Sequence, residues 1–224
     1  MANAVTKVNG IAIADIAKIS GQNDSDLAKL NALEFTGTPA DAHTLISTAT
    51  SDGSDASLGF TSGIDSTYDV YEFVYTNIHP ETDAVHFGWQ VNAASGSNTS
   101  GFDQIITSTH FNAYHSEDDS ATTFAYKTNY DQANGTALEQ LSYDMGADAD
   151  QALSGILTIY APSSTTYVKH FISRTNFPYN GDLTIDWYTA GYINAEEAMD
   201  EIEFKMSSGE IQGGEIKMYG LAKS

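Results

Sequence analysis

The stretch from residue 199 to 221 constrains the fold most. It reads Met199-Asp-Glu-Ile-Glu-Phe-Lys-Met206, then Ser207-Ser-Gly-Glu-Ile-Gln-Gly-Gly214, then Glu215-Ile-Lys-Met-Tyr-Gly-Leu221. Ile202, Phe204 and Met206 alternate with Glu201, Glu203 and Lys205, and Ile216 and Met218 alternate with Glu215 and Lys217. A period of two sends one set to a buried face and the other to water. Gly209, Gly213 and Gly214 supply the freedom a reversal needs. The expectation is two amphipathic strands, the second inserted into a sheet beside a strand from elsewhere in the chain.

The same pattern recurs upstream. His43–Thr50 is β-branched and apolar, Asp52-Gly53 turns it, and 56–61 returns. In 68–76, Tyr71, Phe73 and Tyr75 share a face, opposite Val70 and Val74, and Pro80 closes the strand. In 84–92, Val85, Phe87, Trp89 and Val91 share a face. Residues 95–101 form a polar loop, 104–115 a long strand and Glu117-Asp118-Asp119 a solvated turn. Residues 122–128 carry Phe124 and Tyr126, and 129–150 is polar and turn-rich, with an apolar piece around Leu138 and Leu141. Further strands are expected at 155–160, 167–174 and 183–189, and a helical turn or acidic loop at 195–199. Eleven or twelve strands at this turn spacing predict an all-β protein, an antiparallel, jelly-roll-like β-sandwich over residues 36–224. A single domain of this size buries about 70–75% of its unfolded surface, so it needs no covalent staples.

Residues 1–35 differ. Lys7, Lys18 and Lys29 recur every 11 residues, heading Lys7-Val-Asn-Gly10, Lys18-Ile-Ser-Gly21 and Lys29-Leu-Asn-Ala32. An 11-residue period could wind helices into a right-handed supercoil, but Asn9-Gly10 is a turn signal and Gly21 breaks a helix. Turn-linked short segments are expected for the first two copies, with Asp24-Ser25-Asp26 capping a helical turn over 27–33. Val8, Ile11, Ile13, Ile16, Ile19, Leu27, Leu30 and Leu33 need a surface to bury against. The segment therefore reads as an oligomerisation or docking arm.

The formal net charge of −21, with 9 Lys and Arg, reads as a solvated, self-repelling surface and makes nucleic acid an improbable partner. No apolar run approaches the ~20 residues of a membrane span, and no secretory leader pattern is present, so no membrane partner is expected. The absence of cysteine removes disulfides and thiolate metal sites.

No catalytic, cofactor or metal residues are assigned. His110 and His115 sit an odd number of residues apart, hence on opposite strand faces. His79 and His86 could approach across a hairpin, but no third ligand is evident. Asp52 with Asp55, and Asp144 with Asp148 and Asp150, do not follow a calcium-loop spacing and read as solvated turns. Gly59-Phe-Thr-Ser-Gly63 places Thr61 where a nucleophile elbow needs serine. Glu196, Glu197, Asp200 and Glu201 are too numerous to single out an acid–base pair. Trp89 and Trp187 read as core. Tyr114, Tyr130, Tyr143, Tyr179 and Tyr192 lie near loops, and some could form an exposed aromatic platform.

Several phrases carry a resemblance. Ser62-Gly-Ile-Asp-Ser-Thr-Tyr68, Asn77-Ile-His-Pro80, Ser163-Ser-Thr-Thr-Tyr-Val-Lys-His170 and Ile216-Lys-Met-Tyr-Gly220 resemble a family of virion structural proteins of tailed, often marine, bacteriophages. Val8-Asn-Gly-Ile-Ala-Ile-Ala-Asp-Ile-Ala-Lys18 looks like the N-terminal arms of phage appendage proteins. The resemblance implies a non-enzymatic particle component located in the virion. It would be an exterior capsid decoration, head fibre or tail appendage; the apolar repeat of the arm adds the expectation of a homotrimer that touches capsid or tail proteins. The alternative is a carbohydrate-binding module that recognises host surface glycans.

Overall fold

The computed structural model describes residues 43–93 and 101–221 in full, and the backbone of six two-residue strands ahead of them. The chain divides into two units, residues 1–42 and 43–224. The expected loop at 95–101 lies, apart from Gly101, outside the described residues.

In the first unit, β1 (Lys7–Val8) pairs antiparallel with β2 (Ile11–Ala12), β3 (Lys18–Ile19) with β4 (Gln22–Asn23), and β5 (Lys29–Leu30) with β6 (Leu33–Glu34). The register is identical each time: Lys7 faces Ala12, Lys18 faces Asn23 and Lys29 faces Glu34. The 11-residue repeat is thus a repeat of hairpins. The helical turn expected over 27–33 is corrected: 29–30 and 33–34 are extended and paired with each other. The periodicity that places Lys29 in register with Lys7 and Lys18 outweighs the capping signal at Asp24 to Asp26.

The second unit is an antiparallel β-sandwich. Its strands are β7 (His43–Thr50), β8 (Leu58–Phe60), β9 (Val70–Pro80), β10 (Phe87–Ala93), β11 (Ile106–Ser116), β12 (Thr122–Tyr126), β13 (Glu139–Gln140), β14 (Leu153–Tyr160), β15 (Lys169–Tyr179), β16 (Leu183–Ile193), β17 (Met199–Met206) and β18 (Ile211–Leu221). One sheet has eight strands in the order β12-β11-β16-β15-β14-β9-β18-β7, and the other four in the order β13-β10-β17-β8. The chain crosses repeatedly between the layers, as jelly-roll-like sandwiches do. Asp52-Gly53 does not close a hairpin: β8 leaves β7 for the other sheet and pairs with β17. No α-helix lies among the described residues, and 195–198 is an acidic connection.

The terminal stretch behaves as its alternation requires. β17 enters the four-stranded sheet, and β18 inserts between β9 and β7 in the larger one. Gly213 and Gly214 belong to β18 rather than to the reversal. The register shifts there, with Gly214 at φ 105° opposite a bulged Asn77 at φ 54°. The Oγ of Ser154 accepts the freed Asn77 N–H (3.0 Å).

Between the layers Tyr71, Phe73, Tyr75, Phe87, Trp89 and Phe204 are fully buried. Phe204 meets Phe73 at 5.6 Å and Phe87 at 5.9 Å, and Trp89 stands edge-on to Phe171 at 4.9 Å. Burying each such ring contributes on the order of 2–3 kcal/mol. The Tyr75 hydroxyl bonds to Ser173 (2.9 Å) and Thr175 (2.6 Å), and burial pushes its pKa up to about 12.

Candidate functional site

Strand β11 decides what the other face of the large sheet looks like. Its inward residues are Ile106, Ser108, His110, Asn112 and Ser116, and its outward residues include Thr109, Phe111 and Ala113. Apart from Ile106 and Tyr114, which packs on the core, the inward set is polar, and the sheet's surface receives the aromatic Phe111.

The interior tolerates this because remote groups partner several of the polar atoms. His110 is wholly buried. Asp131 Oδ1 accepts its backbone N–H (2.8 Å) and lies 3.4 Å from Nδ1. Nε2 stands 3.0 Å from Oε1 of Glu139, also wholly buried, although the two are out of line for a hydrogen bond. The other Glu139 oxygen accepts from Gln132 Nε2 (2.7 Å). Asn112 Nδ2 donates to the Tyr143 hydroxyl (3.0 Å), whose pKa burial pushes up to about 12. Gly88 makes room for this end. A side chain there would meet the Glu139 carbonyl at 2.6 Å, so only glycine lets β13 deliver Glu139 against β10.

On the outward face, strand pairing sets Tyr126, Phe111, Tyr188, Arg174, Ile156, Val74 and Lys217 side by side across seven strands. Phe111 stacks on Tyr188 at 4.6 Å and 7°, and Phe124 leans on Phe111 at 5.6 Å. Phe124 is 75% exposed and Tyr126 58%, a large aromatic presentation for a surface strand. The Arg174 guanidinium lies 5.0 Å from the Tyr188 ring centre and donates twice to Asp186, from Nε (3.0 Å) and Nη2 (2.9 Å). Those hydrogen bonds and the Asp186 charge hold the Arg174 pKa above its usual value.

Beside this ridge runs a cleft of about 540 Å³ lined by Ala113, His115, Ser154, Arg174, Asn176, Thr184 and Asp186. Ala113, next to Phe124 on the neighbouring strand, leaves the floor open. Asn176 spends its amide nitrogen on Thr184 Oγ1 (3.0 Å) and the Ile185 carbonyl (2.9 Å), which leaves the amide oxygen to accept. His115 Nε2 is held by Asp119 (3.2 Å). A second cleft of about 430 Å³ on the same face lies over Thr109, Tyr160, His170, Ile172 and Ala190.

The other sequence candidates fall elsewhere. His110 and His115 do point to opposite faces, one buried and one exposed. His79 hydrogen-bonds through Nδ1 to the Gln151 carbonyl (2.6 Å), and His86 is half-buried with its pKa lowered by burial. Among the described residues no three metal-ligating side chains converge. Asp52 accepts from the Ser54 N–H (3.1 Å) and Asp55 from the Asp52 N–H (2.8 Å), the bonds of a turn. Gly59 and Phe60 belong to β8, and no helix follows Thr61. Glu201 accepts from Asn92 (3.0 Å), and burial raises the Asp200 pKa.

Both tryptophans are core, as their alternation requires. The tyrosine platform is corrected. Tyr130, Tyr143 and Tyr179 turn inward into one cluster with Trp187, and Tyr114 packs on the core. Of the five, Tyr192 alone stands on the outward face, edge-on to His170. The exposed platform is Phe124 and Tyr126 instead, flanked by the half-buried Phe111 and Tyr188. The signal for it was the spacing of two between Phe124 and Tyr126, with Phe111 out of phase with His110.

No protein-family model, curated protein or solved structure matches the chain.

Proposed function

We propose that the protein is a non-enzymatic structural component of a tailed-phage particle, an exterior decoration, head fibre or tail appendage that assembles as a homotrimer through its N-terminal repeat. The observation that carries this reading is the hairpin repeat. Three hairpins of two-residue strands follow one another in the same register every 11 residues. An isolated hairpin this short is at best marginal in water, since sheets need three or more strands or a packing partner. Apolar residues recur through the repeat at Val8, Ile11, Ile19, Leu30 and Leu33, and covering them by other subunits gives each repeat what it lacks. The phrases resembling virion proteins, in both the arm and the sandwich, support the same reading.

Light scattering on the full chain and on residues 43–224 tests it. The expected result is a trimer that becomes a monomer when the arm is removed. A full-length monomer, or a trimer indifferent to arm removal, contradicts it.

A further inference from the structure

We infer that the cleft between Phe124 and His115, on the outward face of the eight-stranded sheet, is a binding site for a neutral oligosaccharide. The inference stands on the cleft and does not require the particle assignment.

Three features point to this ligand class. A sugar ring presents an apolar C–H face and a rim of hydroxyls, so its site needs an aromatic surface next to planar polar groups that both donate and accept. Phe124, 75% exposed and backed by the Phe111–Tyr188 stack, supplies the first. The Arg174–Asp186 pair and the Asn176 amide supply the second. The polar groups are also fixed before any ligand arrives. Arg174 is held at once by two hydrogen bonds and by the Tyr188 ring, and Asn176 by two acceptors, so little side-chain freedom is lost on binding. The volume of about 540 Å³ falls in the range of small-molecule sites.

Charge decides between neutral and acidic sugars. The one arginine of the cleft is neutralised by Asp186, and the formal net charge of −21 repels a polyanion. The open, shallow form admits the middle of a chain, and the second cleft over Tyr160 and Ile172 continues the same face along the strands.

The test uses the full-length protein in titration calorimetry. The probes are hexasaccharides of β-glucose, α-glucose, xylose, mannose and galactose, with a galacturonic acid hexamer as the acidic control. At least one neutral hexamer is expected to bind, and the acidic one is not. Tyr188→Ala and Asn176→Ala should each weaken binding about tenfold, and Phe124→Ala severalfold. Phe124 is exposed enough that its removal leaves the thermal midpoint unchanged, so it decides the matter if Tyr188→Ala fails to fold. Binding of none of the neutral hexamers overturns the proposal. So does equal binding of the acidic one, or neutral binding that Phe124→Ala and Asn176→Ala leave intact. None of these results bears on the trimer, whose own test is the arm.

Discussion

Strands β10 and β11 are consecutive and each is flanked on both sides within its own layer, yet they were not equally legible. In β10, Phe87, Trp89 and Val91 face inward, and apolar alternation names that face. In β11 the inward set is Ser108, His110 and Asn112, and the aromatic Phe111 faces out. The difference lies in what meets each strand. The inward face of β10 meets aromatic rings of the facing sheet, so the hydrophobic effect alone sets its orientation. That of β11 meets Asp131 and Tyr143, which supply hydrogen-bond partners 21 and 31 positions away, and the Glu139 carboxylate, which lies 3.0 Å from His110 Nε2. A buried polar group is tolerated when it is partnered. Nothing within a strand's own sequence announces a partner so distant. The inversion has a second effect: it turns Phe111 outward, where with Phe124, Tyr126 and Tyr188 it forms the ridge beside the cleft.

Substitutions break the comparison most sharply at His110. His110→Ala removes the buried imidazole that lies between Asp131 and the wholly buried Glu139 and should cost about 3–5 kcal/mol in urea denaturation. Adding Glu139→Gln to that variant should recover part of the loss, whereas the same addition to a Phe87→Ala background should recover none. Phe87→Ala should itself cost about 3–5 kcal/mol, by cavity formation rather than by an orphaned polar group.

The outward ring behaves differently. Phe111→Ala should cost only about 1 kcal/mol, the worth of its stack on Tyr188, and Phe124→Ala should fall within about 0.5 kcal/mol of wild type. A loss of several kcal/mol at Phe111 would place it in the core and undo the contrast.

The smallest effect is a pH dependence at His86. Burial lowers its folded-state pKa below 6.5, so the folded state resists a proton that the unfolded chain accepts. Its contribution is intact above pH 6.5 and is lost as pH falls through the folded value. His86→Gln should flatten the stability profile in that window and leave it unchanged at pH 8.

Elsewhere the layer plan explains which readings held. Strand positions were legible because alternation and turn residues are local: β9, β17 and β18 carry their inward rings and methionines at every second position. Sheet membership was not. Asp52-Gly53 signals a reversal whether the chain returns beside β7 or crosses to β17, and only the packing of Leu58 and Phe60 into the shared core selects the crossing. The fate of the loop tyrosines was hidden for the same reason. Tyr130, Tyr143 and Tyr179 fill the space around Trp187, and that space exists only once β13 has been brought against β10. The hairpin repeat was legible as a repeat, but its third copy also carried a helix-capping signal at Asp24 to Asp26, and register with the first two prevailed.

The chain contains no cysteine, which allows the orientation of β11 to be read one residue at a time. Single cysteines placed at positions 110, 111, 112 and 113 can be timed against a thiol reagent under native conditions. Cysteines at 111 and 113 should react freely, and those at 110 and 112 only on unfolding. Fast reaction at 110 and 112 with protection at 111 and 113 would turn the strand over, and the polar interior and the aromatic ridge beside the cleft would both go with it.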